Sequence, residues 1–421
     1  MRFVQLLVCC MVIAPVLRAQ TGMQPVDTEN IEKAMDEIIF SNEFTFENHT
    51  DYALKIAYAS YLNSPVDGDD IPQIKALLVL GKIKMLHAEY DSALVLLSKG
   101  MALFAQVKDP ALEAEFSFET ARLFRYMRDY DNSLKYYFKA ATNFTTLDLK
   151  DDLALTNLGI AELYRKLGSY DKANEALAAV KKYIENNRPS DYVLAEYYNR
   201  MAAIHNEHSV TGSADSALRY THLALQVSEK SGNKHLMAVS LNELGFIHEI
   251  RQFFPEAMKN YSTAEQLWDE LKFYRYSVTA KINIARLFNK TGKYAESIEK
   301  TKEVIEIAGK YDWKDMLVPS YQELATGYEN IGDSANALRY YKTYFNERLI
   351  TIEEEKNRDL ADVESHYQLT KKEQRIKHLE NSNRKANRII GFLSVLSFAL
   401  GVVVIILIFV VRKKKNLQQE E

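Results

Sequence analysis

His205 and His208 stand three positions apart with Glu207 between them, near the one-turn spacing at which two helical imidazoles share a metal ion. A metal centre needs a third ligand at a defined spacing, and none accompanies this pair. His248-Glu249 begins a zinc-protease motif but has no second histidine one turn further on. Thiol chemistry is confined to Cys9 and Cys10, so a chain that has lost residues 1–19 holds no nucleophilic or metal-binding sulfur. No Gly-x-Gly-x-x-Gly run and no Gly-Lys-Ser or Gly-Lys-Thr ending exists to cradle a phosphate. Carboxylates are abundant without any pair that stands out as a general acid and base. No cofactor, metal centre or catalytic reaction is expected, and a formal net charge of −4 gives no global field to recruit nucleic acid.

The elements that must carry any site announce themselves through small side chains. Ala53, Ala93, Ser133 and Ala173, then Ala217, Ala257, Ser297 and Ala337, follow one another in steps of 40 residues, save the 44 from Ala173 to Ala217. Such a period marks the crossing points of paired helices, where two backbones approach closely, and predicts one array of eight helical hairpins. With 26 Tyr but only 15 Gly and 8 Pro, the composition suits continuous amphipathic helices. Around the small residues run Leu80-Gly81, Tyr90 and Gly100; Ile160-Ala161, Tyr164, Gly168 and Tyr170; Leu244-Gly245, Phe254, Tyr261 and Ala264; Ile284-Ala285, Phe288, Gly292 and Tyr294; Leu324-Ala325, Tyr328, Gly332 and Tyr341.

These positions resemble the tetratricopeptide repeat family, whose helix-turn-helix unit carries Leu-Gly, Tyr, Gly, Tyr-x-x-Ala and a second Ala in this order. The resemblance covers Asn30 to Phe345 and implies an all-α, right-handed α-solenoid over residues 30–345. Departures are visible. The family period is about 34 residues, so each helix or its outer turn is longer here. The fifth unit replaces its turn by His208 to Ser213, and the first unit is degenerate and reads as an N-terminal cap. In the family, exposed positions of each first helix line a concave groove. Carried onto this chain, those positions are Phe118, Arg122, Arg125, Tyr126, Arg165, Lys166, Arg286, Asn289 and Lys290. Basic groups beside an apolar floor such as Phe118 suit a peptide carboxylate or an acidic stretch, so the expected partner is a peptide or protein segment.

The chain ends place the array. Arg2, the apolar run from Phe3 to Val16 and Leu17-Arg18-Ala19 have the order of a secretory signal peptide over 1–19, with cleavage expected after Ala19 and a linker over 20–29. A lipoprotein alternative at Cys9 or Cys10 is opposed by bulky Val8 before Cys9 and by the early position. No Gly or Pro occurs from Asn346 to Asn387, and residues 346–388 are dense in Glu, Lys and Arg, which predicts a charged stalk helix of ~60 Å. Its thin apolar seam, Leu349, Ile352, Leu360, Val363 and Tyr367, shifts register at Leu369, Ile376 and Leu379 and leaves a dimeric coiled coil and a solvated single helix both open. Ile389 to Val411 is an uncharged stretch reaching ~34 Å as a helix, enough to cross a bilayer. Arg412 to Lys415 follow it as a stop-transfer flank. Basic residues also precede it, but export of the N-terminal part decides the orientation: repeat domain periplasmic, inner-membrane span over 389–411, cytoplasmic tail over 412–421. Ser397 and Gly401 offer a small-xxx-small face for a homodimer. This order resembles the sensor half of membrane-anchored tetratricopeptide sensor kinases and helix-turn-helix regulators of certain Gram-negative bacteria, without their output domain. It implies a sensor or adaptor; a constitutive envelope assembly or quality-control scaffold, and a remnant of a longer regulator, remain open beside it.

Overall fold

Two 17-residue helices and two three-residue turns make up one 40-residue step, which is the physical content of the sequence period. The computed structural model describes residues 28–40, 46–64, 71–104, 107, 109–207, 214–311 and 313–350. Helices α1 (Thr28–Phe40) and α2 (Thr50–Asn63) form the first hairpin, and α3 (Ile71–Leu86) and α4 (Tyr90–Leu103) the second. They are followed by α5 (Pro110–Tyr126) with α6 (Tyr130–Thr146), α7 (Lys150–Lys166) with α8 (Tyr170–Asn186), and α9 (Asp191–Glu207) with α10 (Ala214–Ser231). Then come α11 (Lys234–Ile250) with α12 (Phe254–Glu270), α13 (Tyr274–Lys290) with α14 (Tyr294–Lys310), and α15 (Lys314–Asn330) with α16, described over 334–350. The added length relative to the usual unit therefore lies in the helices. The 44-residue step takes its extra residues from the connections on either side of α9, at 187–190 and 208–213.

The small residues sit where the period required. Ala53, Ala93, Ser133, Ala173, Ala217, Ala257 and Ser297 are wholly buried and Ala337 nearly so. At two of these crossings a hydroxyl takes up the close approach: Ser133 donates to the Ala121 carbonyl at 2.8 Å and Ser297 to that of Ala285 at 2.9 Å. Between crossings the gaps are filled by large side chains, with Phe116, Tyr137, Phe144, Tyr261 and Phe273 fully enclosed.

Helix ends follow local rules. Asp109 caps α5 by accepting from the amides of Ala111 and Leu112, with Pro110 in the first turn. Many turns close through one left-handed residue: the amide of Ser169 reaches the Tyr164 carbonyl at 2.8 Å while Gly168, at φ 69°, reaches that of Arg165. Glycine serves this position only at Gly168, Gly232, Gly292 and Gly332 among the described residues. Ala88, Arg128, Asp148, Gln252 and Lys272 adopt the same conformation, and the left-handed caps close second helices as well as first ones. The strain of about 1–2 kcal/mol at a non-glycine residue is offset by the two carbonyls each turn satisfies.

Consecutive helices pack along the whole series, and each odd-numbered helix also packs on the next odd one, from α1 on α3 to α13 on α15. Among the described helices up to α15, no pair of even-numbered helices makes comparable contact, so the odd helices crowd together as the inner, concave wall and the even ones splay outside. The chain divides into two units, Met1–Leu349 and Ile350–Glu421. Among the described residues no helix is long and apolar enough to cross a membrane. The expected signal sequence, most of the expected stalk, the expected span at 389–411 and the expected tail lie outside the described residues.

Candidate binding surface

Odd helices present their polar faces to one another, and the spacing of their hydrogen bonds reveals a ladder one unit apart. Arg165 on α7 pairs with Glu207 on α9, and Asn206 on α9 with Glu243 on α11. Asn242 on α11 accepts from Asn283 on α13 at 2.9 Å, and Glu249 on α11 takes two hydrogen bonds of 2.8 Å from Arg286 on α13. Asn289 donates to the Glu323 carboxylate at 2.8 Å and to its backbone carbonyl at 2.9 Å. Each rung joins neighbouring hairpins and fixes their relative angle.

The residues expected at the groove fall into two groups on this wall. Arg122, Arg125, Tyr126, Arg165 and Lys166 gather on adjacent helices α5 and α7, where Arg200 of α9 joins them. Arg122 donates to both oxygens of Glu119 at 3.0 Å and lies over the Phe118 ring at 5.8 Å; that ring in turn packs edge-on against Tyr137 and Phe144. Arg165 forms two 2.8 Å bonds to Glu162, and Arg200 bonds Glu196 at 2.9 Å and approaches Glu162 at 3.8 Å. Arg286, Asn289 and Lys290 form the second group on α13, where Lys290 reaches Glu249 at 2.8 Å and the Tyr261 hydroxyl donates to the same carboxylate at 2.7 Å. The two groups are bridged: the hydroxyls of Tyr126 on α5 and Tyr276 on α13 share a 2.5 Å hydrogen bond, and Tyr126 stacks on Tyr90 at 5.8 Å.

Sequence reading missed Glu119, Glu162 and Glu249, which neutralise most of these cations, and Glu323, which accepts from Asn289. Glu119 and Glu162 were legible as carboxylates three residues before an arginine on a helix; Glu249 and Glu323 were not, since their partners lie a whole unit away. Neutralisation is incomplete. Among the described residues Arg125 has no carboxylate at ion-pair distance; its guanidinium donates hydrogen bonds to the Tyr126 and Tyr137 hydroxyls and lies 4.6 Å from the Tyr126 ring centre, and its Nε has no hydrogen-bond partner. The Arg200 Nε and the Asn199 Nδ2 are likewise buried without an acceptor. Lys166 is exposed, and its pKa is lowered by the surrounding protein and by Arg165. Glu115 does not offset this surplus at neutral pH, because burial and then Asp152 push it up to about 8. The α5–α7–α9 wall thus carries the exposed cation Lys166 together with buried donors of Arg125, Arg200 and Asn199 that lack a full set of acceptors.

The histidines go elsewhere. His205 stacks on Tyr220 with ring centres 5.4 Å apart, and His248 shares a 3.0 Å hydrogen bond with Asn260. His208 lies outside the described residues. Among those residues no three His, Cys, Asp or Glu side chains are placed to hold a metal ion. Trp268 and Trp313 are buried, the first donating to His235 at 3.1 Å and the second stacked on Tyr311.

The Glu249 network carries a pH signature. Burial alone would push this carboxyl up; Arg286 foremost, with Lys290 and Tyr261, instead holds it at about 2, below its ordinary 4.5. The unfolded chain therefore binds this proton more readily than the folded one. The stabilisation is whole above about pH 4.5 and is lost as the pH falls toward 2. Acid titrations followed by helical circular dichroism should show this slope in the wild type, and Glu249→Gln should flatten it. An unchanged titration curve would mean that the network is not formed in solution.

No family model matches the sequence. Among solved structures, the apo form of the quorum sensor NprR from B. thuringiensis matches with a TM-score of 0.51 at 14% identity, over 80% of this chain and 93% of that one. NprR in complex with its cognate peptide NprX matches with a TM-score of 0.50 at 14% identity, over 75% and 88%. A Rap protein complexed with Competence and Sporulation Factor gives 0.49 at 14% identity, over 77% and 99%. The likeness is one of fold, a helical repeat array.

Proposed function

We propose that this chain is a tetratricopeptide-type scaffold whose concave wall binds an acidic peptide or protein segment. The observation that carries the reading is the donor surplus of Arg125, Lys166, Arg200 and Asn199, set between internally paired neighbours. Three of these donors are buried, so the exposed Lys166 makes the first contact with an incoming carboxylate, and the buried groups complete its coordination as the wall adjusts around it. An array of similar fold, NprR, has been crystallised with its cognate peptide, which accords with this use of the architecture. In this proposal the signal sequence exports the array, the span at 389–411 tethers it to the inner membrane with the repeats in the periplasm, and the stalk over 346–388 joins the two. The protein acts there as a sensor or adaptor rather than a catalyst, and a homodimer through stalk and span would relay occupancy to a partner across the bilayer.

The test is fluorescence anisotropy of a labelled peptide library, graded from acidic to neutral, against the full chain in detergent micelles. Acidic members should bind, and Arg125→Ala with Lys166→Ala should weaken them by at least about tenfold, the scale of a lost charge-assisted hydrogen bond, without changing helicity. Equal binding of acidic and neutral peptides, or indifference to both substitutions, would defeat the proposal. A ligand that binds without altering self-association would leave a static scaffold in place of a sensor.

A further inference from the structure

An N-terminal cap need only cover the apolar end of the hairpin beside it. The first hairpin here does more, because the 3-10 turn Phe46–His49 between α1 and α2 reaches the sixth hairpin. Asn48 donates to the Gly232 carbonyl at 2.7 Å and accepts from the Lys234 amide at 3.2 Å, and Asp51 pairs with Lys272 at 2.9 Å. Phe46 enters a core that holds Val79 and Ile83 of α3 together with Ala238 of α11 and Trp268 of α12.

Beside it, the Glu47 carboxylate is taken into the inner wall. The residue is only 4% exposed, accepts from the Tyr192 hydroxyl of α9 at 3.2 Å, and lies among Lys82 of α3, Arg122 of α5 and His235 of α11. Lys82 completes the recognition by sitting 4.2 Å from the centre of the Phe46 ring. Burial would favour the protonated acid, yet Lys82 and, further off, Arg122 hold Glu47 below the usual carboxylate range; burial keeps His235 neutral, so the charge comes from the other two. Four inner helices thus converge on one acidic side chain supplied by the chain itself. The outer fastenings are weak by contrast. The Asp51 and Lys272 side chains are 70% and 50% exposed, a setting in which an ion pair contributes about 0–1 kcal/mol.

We infer that Phe46-Glu47 is an internal occupant of the ligand wall, standing where an aromatic–acidic pair of a peptide ligand docks and leaving when that ligand binds. This rests on the concave-wall reading above and adds the ligand's chemistry and an autoinhibited resting state. An occupant that fills the site in 90–99% of molecules lowers apparent affinity about tenfold to a hundredfold, and loosening it restores that loss.

The probe is a fluorescent hexapeptide Phe-Glu-Asn-His-Thr-Asp, the sequence of residues 46–51, titrated against the full chain. Glu47→Gln with Asn48→Ala should bind it at least about tenfold tighter than the wild type, and the peptide carrying Gln in place of its Glu should lose that gain. Lys272→Ala loosens the same strap from a half-exposed surface lysine and should tighten binding in the same direction, which covers failure of the double variant to fold. Equal affinity for wild type and both variants, or indifference to the peptide's Glu, overturns the inference. Should the hexapeptide bind no form while acidic library peptides bind in an Arg125-dependent way, only this inference falls. Should neither bind, the concave-wall reading falls with it.

Discussion

Replacing Glu162 by alanine should destabilise the array by about 3–5 kcal/mol, the range for removing one partner of a buried ion pair. Its side chain is 6% exposed, that of Arg165 is 8%, and the two are locked by a pair of 2.8 Å bonds. Burial would raise the Glu162 pKa, but Arg200 foremost and then Arg165 drive it far below the ordinary value. Taking the carboxylate away leaves Arg165 with Glu207 alone and Arg200 with Glu196 alone, on a wall where Arg125 has no carboxylate of its own. The cost is chiefly that of stranded charge. Removing both partners, as in Glu162→Leu with Arg165→Met, should therefore cost much less than the single change. Urea denaturation followed by circular dichroism measures both. A single-variant loss under about 1 kcal/mol would mean that water solvates the cluster.

Gly245→Val should cost about 3 kcal/mol, near the upper end for overpacking a filled site. A Cβ built at Gly245 lies 2.7 Å from Cδ1 and Cε1 of Tyr261 and 3.1 Å from its Cγ, so the ring must move from its root. Tyr261 is fully buried, and its hydroxyl donates to Glu249, the carboxylate that holds Arg286 and Lys290. Packing error is thereby converted into a broken polar network. Replacing glycine inside a helix gains at most about 1 kcal/mol of propensity, and β-branched valine gains less, so overpacking wins. Gly292→Ala is the contrast. Nothing lies within 4 Å of its Cβ position, and only the left-handed backbone at φ 78° opposes it, for about 1 kcal/mol. If the two substitutions lower the denaturation midpoint equally, the crowding at Gly245 is not sustained in solution.

The helical hairpins were legible because their cause is local and periodic. A 17-residue amphipathic helix, a three-residue turn and a small residue at each crossing repeat along the chain, so one wrong reading is corrected by its neighbours. Turn chemistry was legible in part. Gly168, Gly292 and Gly332 mark left-handed caps, but Arg128 and Gln252 adopt that conformation with no glycine to signal it, since satisfied carbonyls outweigh the strain.

The resemblance to the repeat family put Arg122, Arg165 and Arg286 on first helices, which is where α5, α7 and α13 carry them. What each one touches does not follow, because Glu207 lies 42 positions from Arg165 and Glu249 lies 37 from Arg286. Pairing across that interval depends on how far each hairpin rotates on the last, a quantity set by the summed packing of every side chain between them. Small rotations accumulate along the array until Tyr126 meets Tyr276 across 150 positions and Asn48 meets Gly232 across 184. The amino-acid order alone determined that the chain is a stack of helical hairpins. Only the tertiary structure decided how the charges of the inner face pair, which of them are left over, and that the first hairpin lays a carboxylate against that face, since curvature is a cumulative property that no local pattern encodes.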